Sequence, residues 1–370
     1  MSGTGRAALL LVGPLPPPLD GTSVSFRIFC EEARSCLETE HVRVVDSSPR
    51  QLKEDNHRPG IGDVAQALRV LVPFVRQIRF AERVVVFGSN GFLLKVAPIL
   101  AVIAQVFGRP FYIRPFGGSL DTFCETLPSI LKAPLTSTLR RADGVIVQTR
   151  QLALGLEPVI GAVARVAPGY RPLPQNQAPS PKRTSTQALR LCYVGHIREE
   201  KGVLVLLDSL RRLRDEGDTL VHCDVYGPIY DSVRQQFHEV IRATPNASYR
   251  GVVSTDAVIS TMQLYDALVF PSFYQGEGHP GVLVEAMMAG LPMIATDFRS
   301  VPELVKHEVN GLLVRHADPA SLAAAIVRLR NDRTLLSAMA KKSLRISKSY
   351  DSRRVARMIL ESVGIPVTDR

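Results

Sequence analysis

The chain has 370 residues, 45% of them hydrophobic, and 45 Lys and Arg stand against 35 Asp and Glu for a formal net charge of +10. A single core stops growing near ~250–300 residues, so this length predicts two domains, and the composition excludes a disordered chain. The positive balance suits an anionic partner (nucleotide, nucleic acid or anionic membrane surface) or serves solubility alone; no aromatic-rich strand of the RNA-recognition type and no metal-finger spacing is present, so nucleic acid is not expected.

Short β-rich runs at 7–12, 41–45, 84–87, 110–113 and 144–147 alternate with helical candidates at 23–37, 64–80, 92–107 and 127–141. Alternation of this kind predicts a parallel sheet with helices on both faces. It stops near Pro168, and 169–188, rich in Pro, Gln, Ser and Thr, reads as a linker between a domain at 1–168 and a second at 189–351. Alternation resumes with a strand at 190–194 and a helix at 202–215, whose Leu206, Leu207, Leu210 and Leu213 share one face. Further strands are expected at 221–226, 249–252, 267–270, 292–295 and 311–314, a short helix at 282–289, and terminal helices at 322–330, 335–347 and 352–363.

The stretch 7–12 is too short for the apolar core of a signal peptide and reads as a first strand. The longest apolar run, 96–107, falls short of the ~20 residues that span a bilayer. Five scattered cysteines without a Cys-x-x-Cys predict a reduced, cytoplasmic chain. The segment 64–80 sets Arg69, Arg76, Arg79 and the nearby Arg83 beside Val64, Leu68, Leu71 and Val75. It fits either a helix lying on anionic lipid, which would put the protein peripherally at the inner face of a membrane, or a buried helix with a basic outer side.

Four loops follow strand ends and precede helices, the edge where open α/β sheets bind ligands. In the first, 12–23, a proline-rich turn leads through Asp20, Gly21 and Thr22 to a helix start whose amides can face an anion or simply be capped. The second, 113–121, holds Arg114, Phe116, Gly117, Gly118 and Asp121. The third, 194–202, holds Gly195, His196, Arg198, Lys201 and Gly202. The fourth carries the most information. The strand end 267–270 runs into Glu277-Gly-His-Pro-Gly281, and then a helix opens with Val282, Leu283 and Glu285 and is closed by Gly290 and Pro292. Free amides and the dipole at that helix start favour a phosphate, and two carboxylates beside it suit a ligand that also carries hydroxyls, such as a sugar nucleotide. No Asp-x-Asp pair, zinc-like histidine pair or Gly-x-Ser-x-Gly elbow occurs, so neither a metal site nor a serine hydrolase is indicated.

Glu277, seven residues, then Glu285 resembles the paired-glutamate motif of retaining glycosyltransferases of family 4, and Gly290–Asp297, Val301-Pro302-Glu303 and Gly311–Val314 resemble that family's continuation. The resemblance implies a GT-B fold of two Rossmann-like domains facing across a cleft. The last helix would cross back to the N-terminal, acceptor-binding domain, and the donor would lie on the C-terminal one. It implies a nucleotide-diphosphate sugar as donor, a glycan or lipid-linked acceptor, and transfer without metal or cofactor. Lys201 matches the phosphate-binding lysine. The family's arginine position is His196 here, so either Arg198 supplies the charge or His196 bonds the phosphate. Glu277 would hold the donor sugar, Glu285 the ribose, and the amides of Gly281, Val282 and Leu283 the diphosphate, with Thr296 and Glu303 bordering the nucleotide. Gly21 and Thr22 would close over the phosphates, although the usual glycine pair is Asp20-Gly21. A histidine common near the second loop is replaced by Arg114 or Phe116, on the acceptor side with Gly117 and Asp121. Two other readings stand beside transfer: an epimerase or hydrolase acting on the sugar nucleotide, and a non-catalytic sugar-nucleotide binder.

Overall fold

Continuous apolar runs such as 191–194 and Ala267–Phe270 can bury both faces only inside a parallel sheet with helices on each side. The structure, a computed structural model, describes residues 7–49, 61–174 and 188–367, with side chains from Leu9 and Ala67 onward in the first two stretches. Its strands are β1 (Ala7–Gly13), β2 (Val42–Asp46), β3 (Ala81–Gly88), β4 (Phe111–Pro115), β5 (Gly144–Val147), β6 (Arg165–Val166), β7 (Leu189–Val194), β8 (Val221–Tyr226), β9 (Ala247–Tyr249), β10 (Ala267–Phe270), β11 (Met293–Thr296) and β12 (Gly311–Val314). They form two parallel six-stranded sheets, ordered β2-β1-β3-β4-β5-β6 and β12-β11-β10-β7-β8-β9. The α/β class expected from the alternation is therefore the observed one.

The chain divides into two units, Met1–Pro172 with Asp351–Arg370, and Leu173–Tyr350. In the first unit, Val70, Phe74, Leu100, Leu135 and Leu156 cover one sheet face, and Phe26, Phe29, Tyr170, Val355 and Ile359 the other. The helix Ser352–Ser362 belongs to this unit: Ser352 Oγ donates to Glu32 Oε1 at 2.6 Å, and Tyr170 OH donates to the Ser25 carbonyl at 2.8 Å. In the second unit, Leu206, Leu210, Phe237, Ile326 and Met339 cover one face, and Val284, Met287, Val301 and Leu304 the other. Of the linker expected at 169–188, positions 175–187 lie outside the described residues.

Strand order changes direction between β1 and β3 in the first sheet and between β7 and β10 in the second. Loops leaving the carboxyl ends of such neighbours splay to opposite faces and leave a crevice. Several elements depart from the sequence reading. The helix expected at 92–107 is two, Asn90–Lys95 and Ala97–Val106, because Pro98 lacks an N–H and fits only a first helical turn. The strand expected at 249–252 ends at Tyr249, and Gly251 then turns with φ +81°. Helices Leu120–Thr126, Arg150–Ile160 and Arg234–Arg242 are additional.

Candidate functional site

The crevice between β7 and β10 is built by two loops locked against each other. Gly202, at φ +72°, is left-handed, and a Cβ there would overlap the Pro271 carbonyl, so only glycine lets the loop after β7 lie directly on the start of the loop after β10. Phe273 N–H donates to the Glu200 carbonyl at 2.8 Å across the same seam. On the other side Gly227 (φ +141°) plays the equivalent part: its missing side chain makes room for the Gly195 carbonyl. Tyr193, buried at the end of β7, donates its hydroxyl to the His196 carbonyl at 2.8 Å. Burial, with Glu277 nearby, pushes that phenol well above its ordinary range.

This seam brings Lys201 to Glu277, 76 positions later, with Nζ 2.7 Å from Oε2. The same carboxylate oxygen accepts the Ser272 hydroxyl at 2.6 Å. Glu277 is 7% exposed, so its charge is held by an ammonium and a hydroxyl rather than by water. Arg198 grips Glu200 through both fork nitrogens, Nε–Oε2 3.0 Å and Nη2–Oε1 3.3 Å, and this bond holds the Glu200 carboxyl below the ordinary carboxylate range. The Tyr274 ring meets both cations, its centre 5.0 Å from Arg198 Cζ and 4.8 Å from Lys201 Nζ. His196 Nδ1 meets the Tyr230 hydroxyl at 3.2 Å, and the Tyr230 ring also faces Arg198. Two cations thus converge on one loop seam, each resting on its own carboxylate.

The helix Gly281–Met288 opens after Pro280 with no side-chain cap. Leu283 N–H turns to the Pro280 carbonyl at 3.2 Å, and its side chain is in the core. Gly281 and Val282, both partly exposed, present the helix-start amides, which have no acceptor within the helix. Glu285 sits one turn in and is buried. Thr296 is also buried and gives its hydroxyl to the Ser272 carbonyl, tying β11 to the Glu277 loop. Ser300 similarly bonds the carbonyls of Glu277 and Gly278. Glu303 lies in the short helix Val301–Leu304. Nothing in the sequence marks Ser272, Tyr274, Tyr230 or Ser300, because their contacts come from tertiary adjacency and carry no local pattern.

The first unit treats its loop residues differently. Asp20 caps the helix Gly21–Leu37, accepting from Thr22 N–H at 2.8 Å and Ser23 N–H at 2.7 Å, so a carboxylate already occupies the anion position there. Gly21 borders open space. Arg114 is fully buried, its Nη2 donating to the carbonyls of Ala167 and Pro168 at 3.0 and 3.1 Å, and desolvation lowers its pKa to about 10. Phe116 packs on Phe87 with ring centres 5.9 Å apart. Gly117 takes φ +82°, and Asp121 lies against the backbone of helix Arg150–Ile160 at Gly155. Among the described residues one cluster of possible metal ligands occurs, Glu38, Glu40 and His41, on an exposed turn outside these loops.

Residues 188–332 match the family model described as glycosyl transferases group 1. This stretch, about two fifths of the chain, is similar to that family. It contains every feature of the β7–β10 seam. Over 186 residues the chain is 27% identical to the amylovoran biosynthesis glycosyltransferase AmsK of Erwinia amylovora, covering 47% of this chain and 45% of that protein. Over 184 residues it is 29% identical to the glycogen synthase of Mycobacterium tuberculosis, covering 47% and 42%. The matched segments therefore span less than half of each curated relative. Likeness of fold reaches further than likeness of sequence. Anabaena HepE, solved with UDP, superposes with a TM-score of 0.73 over 96% of this chain and 99% of that one at 17% identity. The sucrose-phosphate synthase of Thermosynechococcus elongatus gives 0.71 over 96% and 98% at 16% identity. The fold is GT-B, and the stretch that matches the group 1 model lies within its second unit.

Proposed function

We propose that the chain is a retaining, family 4 glycosyltransferase that moves a sugar from a nucleotide-diphosphate sugar to an acceptor hydroxyl, without metal, in polysaccharide or glycolipid synthesis. The observation that carries the reading is the Lys201–Glu277 pair at the β7–β10 switch point, beside the uncapped start of the Gly281–Met288 helix. A diphosphate placed there meets Lys201, Arg198 and the amides of Gly281 and Val282, a fixed set of positive groups that replaces a cation. Leaving diphosphate takes Lys201 partly from Glu277 and Arg198 from Glu200. Glu277 then orients the donor sugar and Glu285 the ribose. The sugar–phosphate bond breaks, the acceptor oxygen bonds the same face of the sugar carbon, and its proton passes to the departing phosphate oxygen. HepE was solved with UDP-glucose and AmsK is named for amylovoran synthesis, which supports a nucleotide-sugar donor and a glycan or lipid-linked acceptor.

The test is a panel of labelled nucleotide sugars, with an acceptor pool and EDTA present. Label should move to acceptor, and free nucleotide diphosphate should form only when acceptor is added. Release of free labelled sugar without acceptor would mean a hydrolase, conversion of the donor to an isomeric nucleotide sugar would mean an epimerase, and no turnover of any donor despite nucleotide binding would mean a binder. Lys201→Ala should lower turnover about 10²–10³-fold, the usual cost of removing one transition-state stabilising group. Wild-type turnover in that variant would remove Lys201 from the chemistry.

A further inference from the structure

One face of the first unit is apolar where it should be wet. Helices Ile61–Ile78, Ala97–Val106 and Ser129–Arg141 lie side by side on one face of the first sheet, anchored by Phe74, Leu100 and Leu135 in a common core. On the opposite side of the first two helices, Leu68, Val72, Val75, Ile99, Val102 and Val106 are exposed, Val102 to 60% and Val106 to 78%. In Ala97–Val106 the exposed positions 99, 102 and 106 follow helical spacing, so a second apolar stripe runs opposite the buried one. The helix contains no charged residue at all.

Among the described residues, the charged side chains on these three helices are all basic. Arg69, Arg76 and Arg79 are exposed on or just beyond the first helix, and none makes an ion pair among the described residues. The third helix contributes Lys132, Arg140 and Arg141. Across the sequences of the three helices the single acid is Asp63. A second copy of the chain would fit this face poorly, because a two-fold interface sets the same patch against itself and brings unpaired arginines together. A surface that offers acyl chains beneath a layer of negative charge satisfies both features at once. Ala97–Val106 rises only about 15 Å, half of a bilayer's apolar core, and no helix among the described residues is long and apolar enough to cross a membrane.

We propose that this three-helix face docks on an anionic lipid bilayer, with Ile99, Val102 and Val106 entering the interface and the arginines lying over the headgroups. The inference goes beyond the transferase reading and does not rest on it. The full chain is sedimented with vesicles of phosphatidylcholine alone and of phosphatidylcholine mixed with phosphatidylglycerol. Binding should be at least about tenfold stronger to the anionic vesicles and should weaken with salt. Val102→Asp with Val106→Asp should lower it at least about tenfold, and Arg76→Glu with Arg79→Glu should do so and remove most of the salt dependence. Leu264→Asp, an equally exposed apolar position in the second unit, should change nothing. Unchanged melting temperatures show that the variants fold. Failure of the wild type to bind anionic vesicles, or binding untouched by the valine pair, overturns the proposal. So does a wild-type dimer that the valine pair makes monomeric, since the face would then belong to a second copy.

Discussion

The two sheets present similar strand-end loops, yet they use charged residues in opposite ways. In the second unit Arg198 and Lys201 stand on a seam held by backbone, Gly202 against Pro271 and Gly227 against Gly195, so their side chains are not needed to hold the fold. In the first unit the corresponding charges serve local structure: Asp20 caps a helix and Arg114 fills the core beneath β4. The difference separates residues that a ligand can recruit from residues that the fold has already engaged. It also runs parallel to the similarity to known proteins, where the group 1 family model matches 188–332 and the likeness over the rest is one of fold.

The largest expected effect that tests this contrast is at Arg114. No carboxylate faces this guanidinium among the described residues, and its Nε and Nη1 have no hydrogen-bond partner. Arg114→Ala should nevertheless destabilise the protein by about 3 kcal/mol or more, since it opens a cavity and strips the Ala167 and Pro168 carbonyls of their donor. Arg114→Met should recover a good part of that loss by keeping volume and removing a desolvated charge. Urea titration measures both, and the nucleotide binding proposed for the second unit should persist in each. A wild-type midpoint for the alanine variant would refute the structural role.

Next in size is Gly202→Ala. The added methyl meets the Pro271 carbonyl at a left-handed φ, so we expect a loss of about 1–3 kcal/mol and weaker nucleotide binding together. Loss of stability without loss of binding would show that the seam does not position Lys201.

Much of this was legible in the sequence, for identifiable reasons. Strands such as β5, β10 and β12 have the bounds expected from sequence because each is an apolar run beside turn formers. Helix Arg150–Ile160 has no clear sequence signature because Gly155 and Pro158 interrupt its pattern, and Gly155 is there to admit Asp121. Helix Arg234–Arg242 buries only Phe237 and Ile241, too narrow a stripe to stand out. Lys201 and Glu277 could be read from motif and spacing. Ser272 and Tyr274 could not, since what they touch is set by the seam. Neither could the fates of Arg114 and Phe116, because a strand-end residue faces core or solvent according to what covers that sheet face.

A smaller effect concerns thiols, which both units bury. Desolvation raises Cys30 to about 12 and Cys124 to about 11 from an ordinary 9.0, and it raises Cys192 and Cys223 further. A raised folded pKa means stability fully present below pH 9.0 and lost as pH climbs toward the folded value, because only the unfolded chain gains by ionising. At pH ~10 each buried thiol should cost about 1 kcal/mol relative to pH ~8. Urea midpoints at the two pH values give the drop, and Cys30→Ala should lessen it by one thiol's share. A flat profile would mean that these thiols ionise in place.

The smallest effect is at Asp20, where the comparison between the units is most finely balanced. Its carboxylate satisfies two amides and the Thr22 hydroxyl, and Ser23 Oγ accepts from Asp20 N–H in return at 3.0 Å. Loss of such a cap costs about 1 kcal/mol, so Asp20→Ala should lower the urea midpoint slightly. Asp20→Asn keeps the acceptor and gives up the charge that favours a helix start, so it should cost only a few tenths of that, about 0.3 kcal/mol. If the loop serves the fold alone, transfer rates of both variants should match the wild type. If an incoming phosphate competes with Asp20 for the Thr22 and Ser23 amides, removing the carboxylate should tighten donor binding while stability falls. Opposite movement of the two quantities would make Asp20 a carboxylate that keeps a phosphate's seat while it is empty, the part proposed above for Glu277 and Glu200.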